Sequence, residues 1–122
     1  MNVQICKTFV VGASDLTQYQ LVKTPSALVE CAADTDDCVG IVQDGADATS
    51  KASVCVFGVT RAIADAAISK GAYLMPGTAG KVLTHNGGTD SPFIGTALEE
   101  ATADGDEIEI ILGVCLGAGP AA

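Results

Sequence analysis

The sequence predicts an all-β or mainly β chain folded as a small barrel or sandwich, and three observations carry that prediction. Short runs rich in Val and Ile recur along the 122 residues and are closed by Gly, Asp or Pro. The run Ser53–Val59 is apolar on both alternating faces, as in a strand central to a sheet or barrel. Near the end, Asp104-Gly105 stands between two strand-like arms, which is the chemistry of a hairpin turn and predicts a hairpin over 94–112.

In chain order, Val3–Val11 is apolar with Gln4 and Lys7 interrupting it, a strand or an extended arm. Gly12-Ala13-Ser14-Asp15 is turn-like. Tyr19–Lys23 alternates and ends at Thr24-Pro25, where Pro cannot donate to a ladder. Ala27–Cys31 is a second short run, and Asp34-Thr35-Asp36-Asp37 is an acidic turn leading into the strand Val39–Val42. A loop from Asp44-Gly45 to Lys51 precedes Ser53–Val59. Residues 62–70 have two readings: a short helix through Ile63, Ala64, Ala66, Ala67 and Ile68 capped by Gly71, or a strand end followed by a turn. Ala72–Met75 is a strand closed by Pro76-Gly77, Lys81–Thr84 another, and Asn86-Gly87-Gly88-Thr89-Asp90 a loop. In the final hairpin Ile94–Thr102 is the first arm. In the second, Ile108, Ile110 and Leu112 point one way and Glu107 and Glu109 the other. The expected organisation is an N-terminal strand or arm over 1–13, a single β-rich domain over 14–113 and a small-residue tail over 114–122.

Composition narrows the function. Ala and Gly together supply 33 of the 122 residues, so the core is built from small and β-branched side chains. Six basic residues face fifteen acidic ones for a net charge of −9, and the basic residues are scattered. Nucleic acid and anionic membrane both require a basic footprint, so neither is an expected partner. With five aromatics and no Trp, stacking on single strands or sugars is poorly supplied. No apolar run approaches the roughly 18 residues of a membrane span, and Met1–Lys7 lacks the basic start of a signal peptide. The five cysteines, Cys6, Cys31, Cys38, Cys55 and Cys115, are odd in number, so buried thiols in a reducing cytoplasm are expected, with a Cys31–Cys38 bridge as the alternative.

Motifs for catalysis and cofactors fail on spacing. Gly77-Thr78-Ala79-Gly80-Lys81 has two residues between its glycines where a phosphate loop needs about four, and Val82 follows the Lys. A calcium loop starting at Asp34 would place Gly sixth and Glu twelfth, where Val39 and Gly45 stand. His85 is the single histidine and has no Cys-x-x-Cys pair to join in a metal site. Glu99 and Glu100, adjacent on a strand, point apart. Gly12-Ala13-Ser14 lacks the second Gly of a nucleophile elbow, and the tip Asp104-Gly105 has no Lys to carry a lipoyl-type group. The expectation is no catalytic residue, no cofactor and no metal.

The order of features is more specific than any one of them. It runs Ser14-Asp15-Leu16-Thr17-Gln18-Tyr19, Leu21-Val22-Lys23, and Cys38-Val39-Gly40-Ile41-Val42-Gln43-Asp44. Ala52-Ser53-Val54-Cys55-Val56-Phe57-Gly58-Val59 and Ala67-Ile68-Ser69-Lys70-Gly71 follow, then Gly80-Lys81-Val82, Ile94-Gly95-Thr96-Ala97-Leu98-Glu99 and Gly105-Asp106-Glu107-Ile108-Glu109-Ile110. Over residues 14–113 this series resembles the capsid decoration, or cement, proteins of tailed bacteriophages. The chain departs from that pattern at Ala46-Asp47-Ala48-Thr49-Ser50, where the family often carries Pro and Gly. The resemblance implies a non-catalytic virion protein, made in the bacterial host cytoplasm and bound to the outer capsid surface. It implies a homotrimer that clamps neighbouring major capsid protein subunits. Another β-rich virion module, in a tail, a fibre or a glycan-binding domain, is the alternative. Val3, Ile5, Phe9 and Val10 are the candidate capsid or subunit contacts, because an apolar arm can add a strand to a neighbour; the competing reading is a first strand in the chain's own core.

Overall fold

The computed structural model describes residues 4–23, 29–31, 38–87 and 93–113. Val3, Thr24-Pro25, Ala27, the acidic turn 34–37, the loop residues 88–90 and the tail 114–122 lie outside them. Among the described residues nine strands form one antiparallel sheet: β1 (Gln4–Val10), β2 (Leu21–Lys23), β3 (Val29–Glu30), β4 (Gly40–Val42), β5 (Lys51–Ile63), β6 (Tyr73–Pro76), β7 (Val82–Thr84), β8 (Gly95–Ala97) and β9 (Glu107–Leu112). The strand order is β3-β2-β4-β5-β9-β8-β6-β7, with β1 added to β5. The mainly β expectation holds.

β5 is the spine, and its Val, Thr and Phe content over thirteen residues with no Pro suits that place. β1 runs along one edge of it, from Gln4 opposite Gly58 to Val10 opposite Lys51. The other edge is shared. β4 pairs at Val54 and Cys55, and β9 takes over from Gly58 to Ile63. Between these two partners β5 carries a bulge: Ile5 faces Phe57 and Cys6 faces Cys55, which leaves Val56 as the extra residue.

The sheet has a core on each of its faces. Val54 and Cys55 are consecutive, so their side chains leave opposite faces of the sheet. Cys55 joins the main core with Leu21, Ile41, Leu74, Ile94, Ile108, Ile110 and Leu112. Val54 joins a smaller one with Val11, Leu16, Val22, Val42 and Ala52. The smaller core is covered by the chain after β1, which is tied down where Leu16 and Ala46 exchange backbone hydrogen bonds of 2.8 and 2.9 Å.

The sheet curls until its ends meet. Ala64, just past β5, bridges Val82 in β7, and the Asp65 N–H donates to the Val82 carbonyl at 2.9 Å. At the far end, the Gly80 N–H donates to the carbonyl of Cys31, next to β3, at 2.7 Å. The short 3-10 turn Thr78–Gly80 therefore closes the seam between β3 and β7. Strands approach closely elsewhere too. A Cβ on Gly40 would collide with the Cys55 carbonyl, and one on Gly95 with the Ile111 carbonyl.

Residues 62–70 are not helical, which corrects the helix reading. Ala62 and Ile63 finish β5, Ala64 bridges Val82 and Ile68 bridges Ala101. Of the three buried residues in this stretch, Ala62 belongs to β5, Ala64 is held by Val82 of β7 and Ile68 by Ala101 beyond β8, while Ala66 and Ala67 are exposed. An apolar stretch this short cannot offset the cost of nucleating a helix when sheet partners stand on both sides. The hairpin tip is where the sequence puts it, with Gly105 at φ +93° and an Asp106 N–H···O=C Ala103 bond of 3.2 Å. Its first arm is shorter than expected. Only Gly95–Ala97 is strand, and the chain then turns away so that Ala101 can reach Ile68.

Candidate functional site

The polar side chains serve the scaffold. Arg61 donates from Nε to the Glu107 carboxylate and lies 3.6 Å from Glu99, whose Oε1 accepts the Glu109 N–H at 2.7 Å. The hydrogen bond from Arg61 to Glu107 holds the guanidinium above its ordinary pKa. Lys81 pairs with Asp104 at 2.8 Å, which raises the ammonium pKa in the same way. Asp65 accepts both the N–H and the hydroxyl of Thr78 at 2.9 Å, fixing the 3-10 turn. Asp106 accepts the Thr102 N–H at 2.8 Å, the Thr102 hydroxyl at 2.9 Å and the Ala103 N–H at 3.2 Å. These donors favour the charged carboxylate and lower its pKa, the Thr102 backbone N–H most of all.

Among the described residues no three His, Cys, Asp or Glu side chains cluster in a way that could hold a metal ion. His85 sits half-buried after β7, its N–H donating to the Tyr73 carbonyl and its Nδ1 accepting the Gly87 N–H at 3.0 Å. Thr60, the one buried polar side chain of the described residues, exchanges hydrogen bonds with Gln43. Burial and the neighbouring Cys6 push the Cys55 thiol up to about 11, so it stays protonated near neutral pH.

The surface is more distinctive. Among the described residues five large apolar side chains are exposed: Ile5, Val10, Phe57, Tyr73 and Ile111. Four of them share one face. Residues opposite one another in an antiparallel ladder point the same way, and Ile5 is opposite Phe57. Two residues beyond Phe57, Val59 is opposite Ile111; Ile111 is opposite Thr96, and Thr96 opposite Tyr73. The row crosses β1, β5, β9, β8 and β6 on the face opposite the main core. Its Tyr73 end is braced edge-on by Phe93, ring centroids 5.3 Å apart. Exposed apolar patches of this kind are a common feature of interaction surfaces.

β1 stands apart. None of its seven residues is buried, and it pairs with β5 alone among the described strands. Ile5, Lys7 and Phe9 lie on the face of the apolar row; Cys6, Thr8 and Val10 lie on the other. Phe9 packs half-buried against the smaller core, with Lys7 Nζ 5.9 Å from its ring centre. Of the four sequence-based contact residues, Ile5 is exposed on the row, Val10 is exposed on the opposite face, Phe9 packs inward and Val3 is outside the described residues. The structure therefore does not gather them into one patch. Sequence reasoning missed Phe57, Tyr73 and Ile111. A signal was present at Ile111, an apolar residue at a position where Glu107 and Glu109 set the outward polar pattern.

No curated protein matches the chain. Among solved structures it is similar to the head fiber gp8.5 N base of bacteriophage phi29, with a TM-score of 0.72 and 18% identity over 93% of this chain and 95% of that one. At that identity the likeness is one of fold. A family described as phage cement protein matches residues 4–112, which span the ladder from β1 to the last residue of β9. With that much of the sheet inside the match, the chain belongs to the phage cement proteins, a family of virion structural proteins.

Proposed function

We propose that this protein is a non-catalytic cement that decorates the outer surface of a phage head and clamps neighbouring major capsid protein subunits. The observation that carries the proposal is the apolar row through Ile5, Phe57, Ile111 and Tyr73, which the paired strands hold in register and which stands exposed among the described residues. The row meets the capsid. Net charge supports an outward position, since a chain at −9 is repelled by packaged DNA. Many copies on a symmetric lattice make modest contacts sufficient, because the sites are engaged together. The working unit is a homotrimer, as the resemblance implies, and like charge means its subunits meet through neutral surface.

The test is binding to heads stripped of cement. The wild-type chain should saturate them at a fixed copy number and raise their resistance to heat. A Phe57→Asp/Ile111→Asp variant should keep the wild-type circular dichroism and lose binding by at least tenfold. A folded variant that binds as well as wild type overturns the docking surface. Cryo-electron microscopy showing the protein on the tail or on a fibre, and none on the shell, overturns the clamp.

A further inference from the structure

Among the described residues the fold brings two pairs of thiols together, Cys6 with Cys55 across β1 and β5, and Cys31 with Cys38. The Sγ atoms of Cys31 and Cys38 lie 2.9 Å apart and both residues are buried, closer than two sulfurs rest without a bond or a shared proton. The place of this contact matters. Cys31 directly follows β3, the outermost strand, which is held to β2 through only two residue pairs, Val22–Glu30 and Lys23–Val29. The Cys31 N–H donates to Leu21 and its carbonyl accepts the Gly80 N–H at the seam. Cys38 leads into β4 on the other side of β2, where the neighbouring Val39 N–H donates to Val22. A bond between the two sulfurs would cross over β2 and tie the weakest strand of the sheet to one that pairs with the spine.

We infer that Cys31 and Cys38 form a redox-closed crosslink, open as two thiols in a reducing compartment and closed as a disulfide in oxidising surroundings, that fastens the seam of the sheet. The oxidant is a low-molecular-weight disulfide. Cys38, slightly exposed where Cys31 is fully covered, meets it first. The Cys38 thiol gives up its proton, and the thiolate attacks one sulfur of the reagent. A mixed disulfide forms and one reagent thiolate leaves. Cys31 then loses its proton, its thiolate displaces the second reagent thiolate, and the Cys31–Cys38 bond closes. The protein loses two hydrogens and two electrons, and the reagent becomes two thiols. Cys55 is not a competitor near neutral pH, because its thiol stays protonated.

The experiment uses the full chain, purified under reductant, with no capsid present, so its result is independent of the docking proposal. The protein is incubated with oxidised glutathione, remaining thiols are alkylated, and intact mass and peptide maps are read. The expected result is a loss of two hydrogens, one linked peptide joining Cys31 to Cys38, and alkylation of the other three cysteines. The thermal midpoint of the oxidised form should lie several degrees above that of the reduced form. A Cys31→Ser/Cys38→Ser variant should show one midpoint with or without oxidant. A bridge involving Cys6, Cys55 or Cys115 overturns the inference, as does an adduct of glutathione that never resolves. Retention of both thiols over a time in which the urea-unfolded chain oxidises fully also overturns it. An unchanged midpoint after verified closure overturns the fastening role.

Discussion

β1 and β9 lie against the same strand, both antiparallel, with seven and six residues. Their side chains have opposite fates. Ile108, Ile110 and Leu112 of β9 are buried in the main core, whereas no residue of β1 is buried. β1 is held by backbone hydrogen bonds, by Phe9 against the smaller core and by the Gln4 side-chain bond to the Val59 carbonyl at 2.8 Å. The contrast separates what places a strand from what stabilises it. Ladder hydrogen bonds fix register, but each replaces a bond to water and contributes little net free energy. Apolar burial supplies the stabilisation, and β9 has it where β1 does not.

The largest expected effect strikes the β9 side. Gly95→Ala sets a methyl group against the Ile111 carbonyl and should part β8 from β9, at a cost on the order of 4 kcal/mol. Urea unfolding would measure it, and a loss under about 1 kcal/mol would show that the two strands can separate without harm. Next is the direct comparison. Ile110→Ala should destabilise by about 2–5 kcal/mol, while Ile5→Ala should stay within about 0.5 kcal/mol, as for an exposed site. Equal losses in denaturant titrations would break the distinction drawn between the strands. Native-state hydrogen exchange should show the same order, with β1 amides opening well before those of β9. Protection of β1 at the level of global unfolding would contradict it.

The smallest effect is a pH dependence confined to the β9 side. Asp106 sits at the turn that launches β9, with its pKa lowered by the Thr102 and Ala103 donors. Its contribution is therefore complete above the unfolded carboxylate value of 3.8 and is lost as pH falls through the lower folded value. The Thr102 and Ala103 amide resonances should titrate together in that acid range while β1 amides do not. In Asp106→Asn the titration should vanish, and its persistence would assign it to another carboxylate.

Much of this fold is written in local patterns. The inward series Ile108, Ile110, Leu112 and the tip at Asp104-Gly105 are read directly from alternation and turn chemistry. The spine was legible as a strand apolar on both faces, but alternation alone does not say which partner covers each face. That is why Phe57 reads as core and proves exposed. Residues 62–70 kept a helical reading beside the strand end and turn that they form, for a related reason. Ala64 and Ile68 stand four apart, a helical spacing, yet their partners Val82 and Ala101 are distant in sequence. The exposed apolar row was half legible. Ile5 shows on inspection of β1 alone, whereas the row it belongs to exists only through pairings across five strands.

The bulge at Val56 has a consequence for how the chain tolerates insertions and deletions. One extra residue sets the phase between the two halves of β5. Ala52 and Val54 face the smaller core on one side of it, and Thr60 and Ala62 face the opposite way on the other. Removing Val56 would place Phe57 directly after Cys55, still opposite Ile5, and leave every side chain on its present face. Removing a paired residue beyond the bulge, Val59 for instance, would act as a frameshift in three dimensions, and every residue from Thr60 to Ile63 would exchange inside for outside. A residue lost from a loop such as 44–50 changes a length. A paired residue lost from this half of β5 would change which face of the protein meets the world.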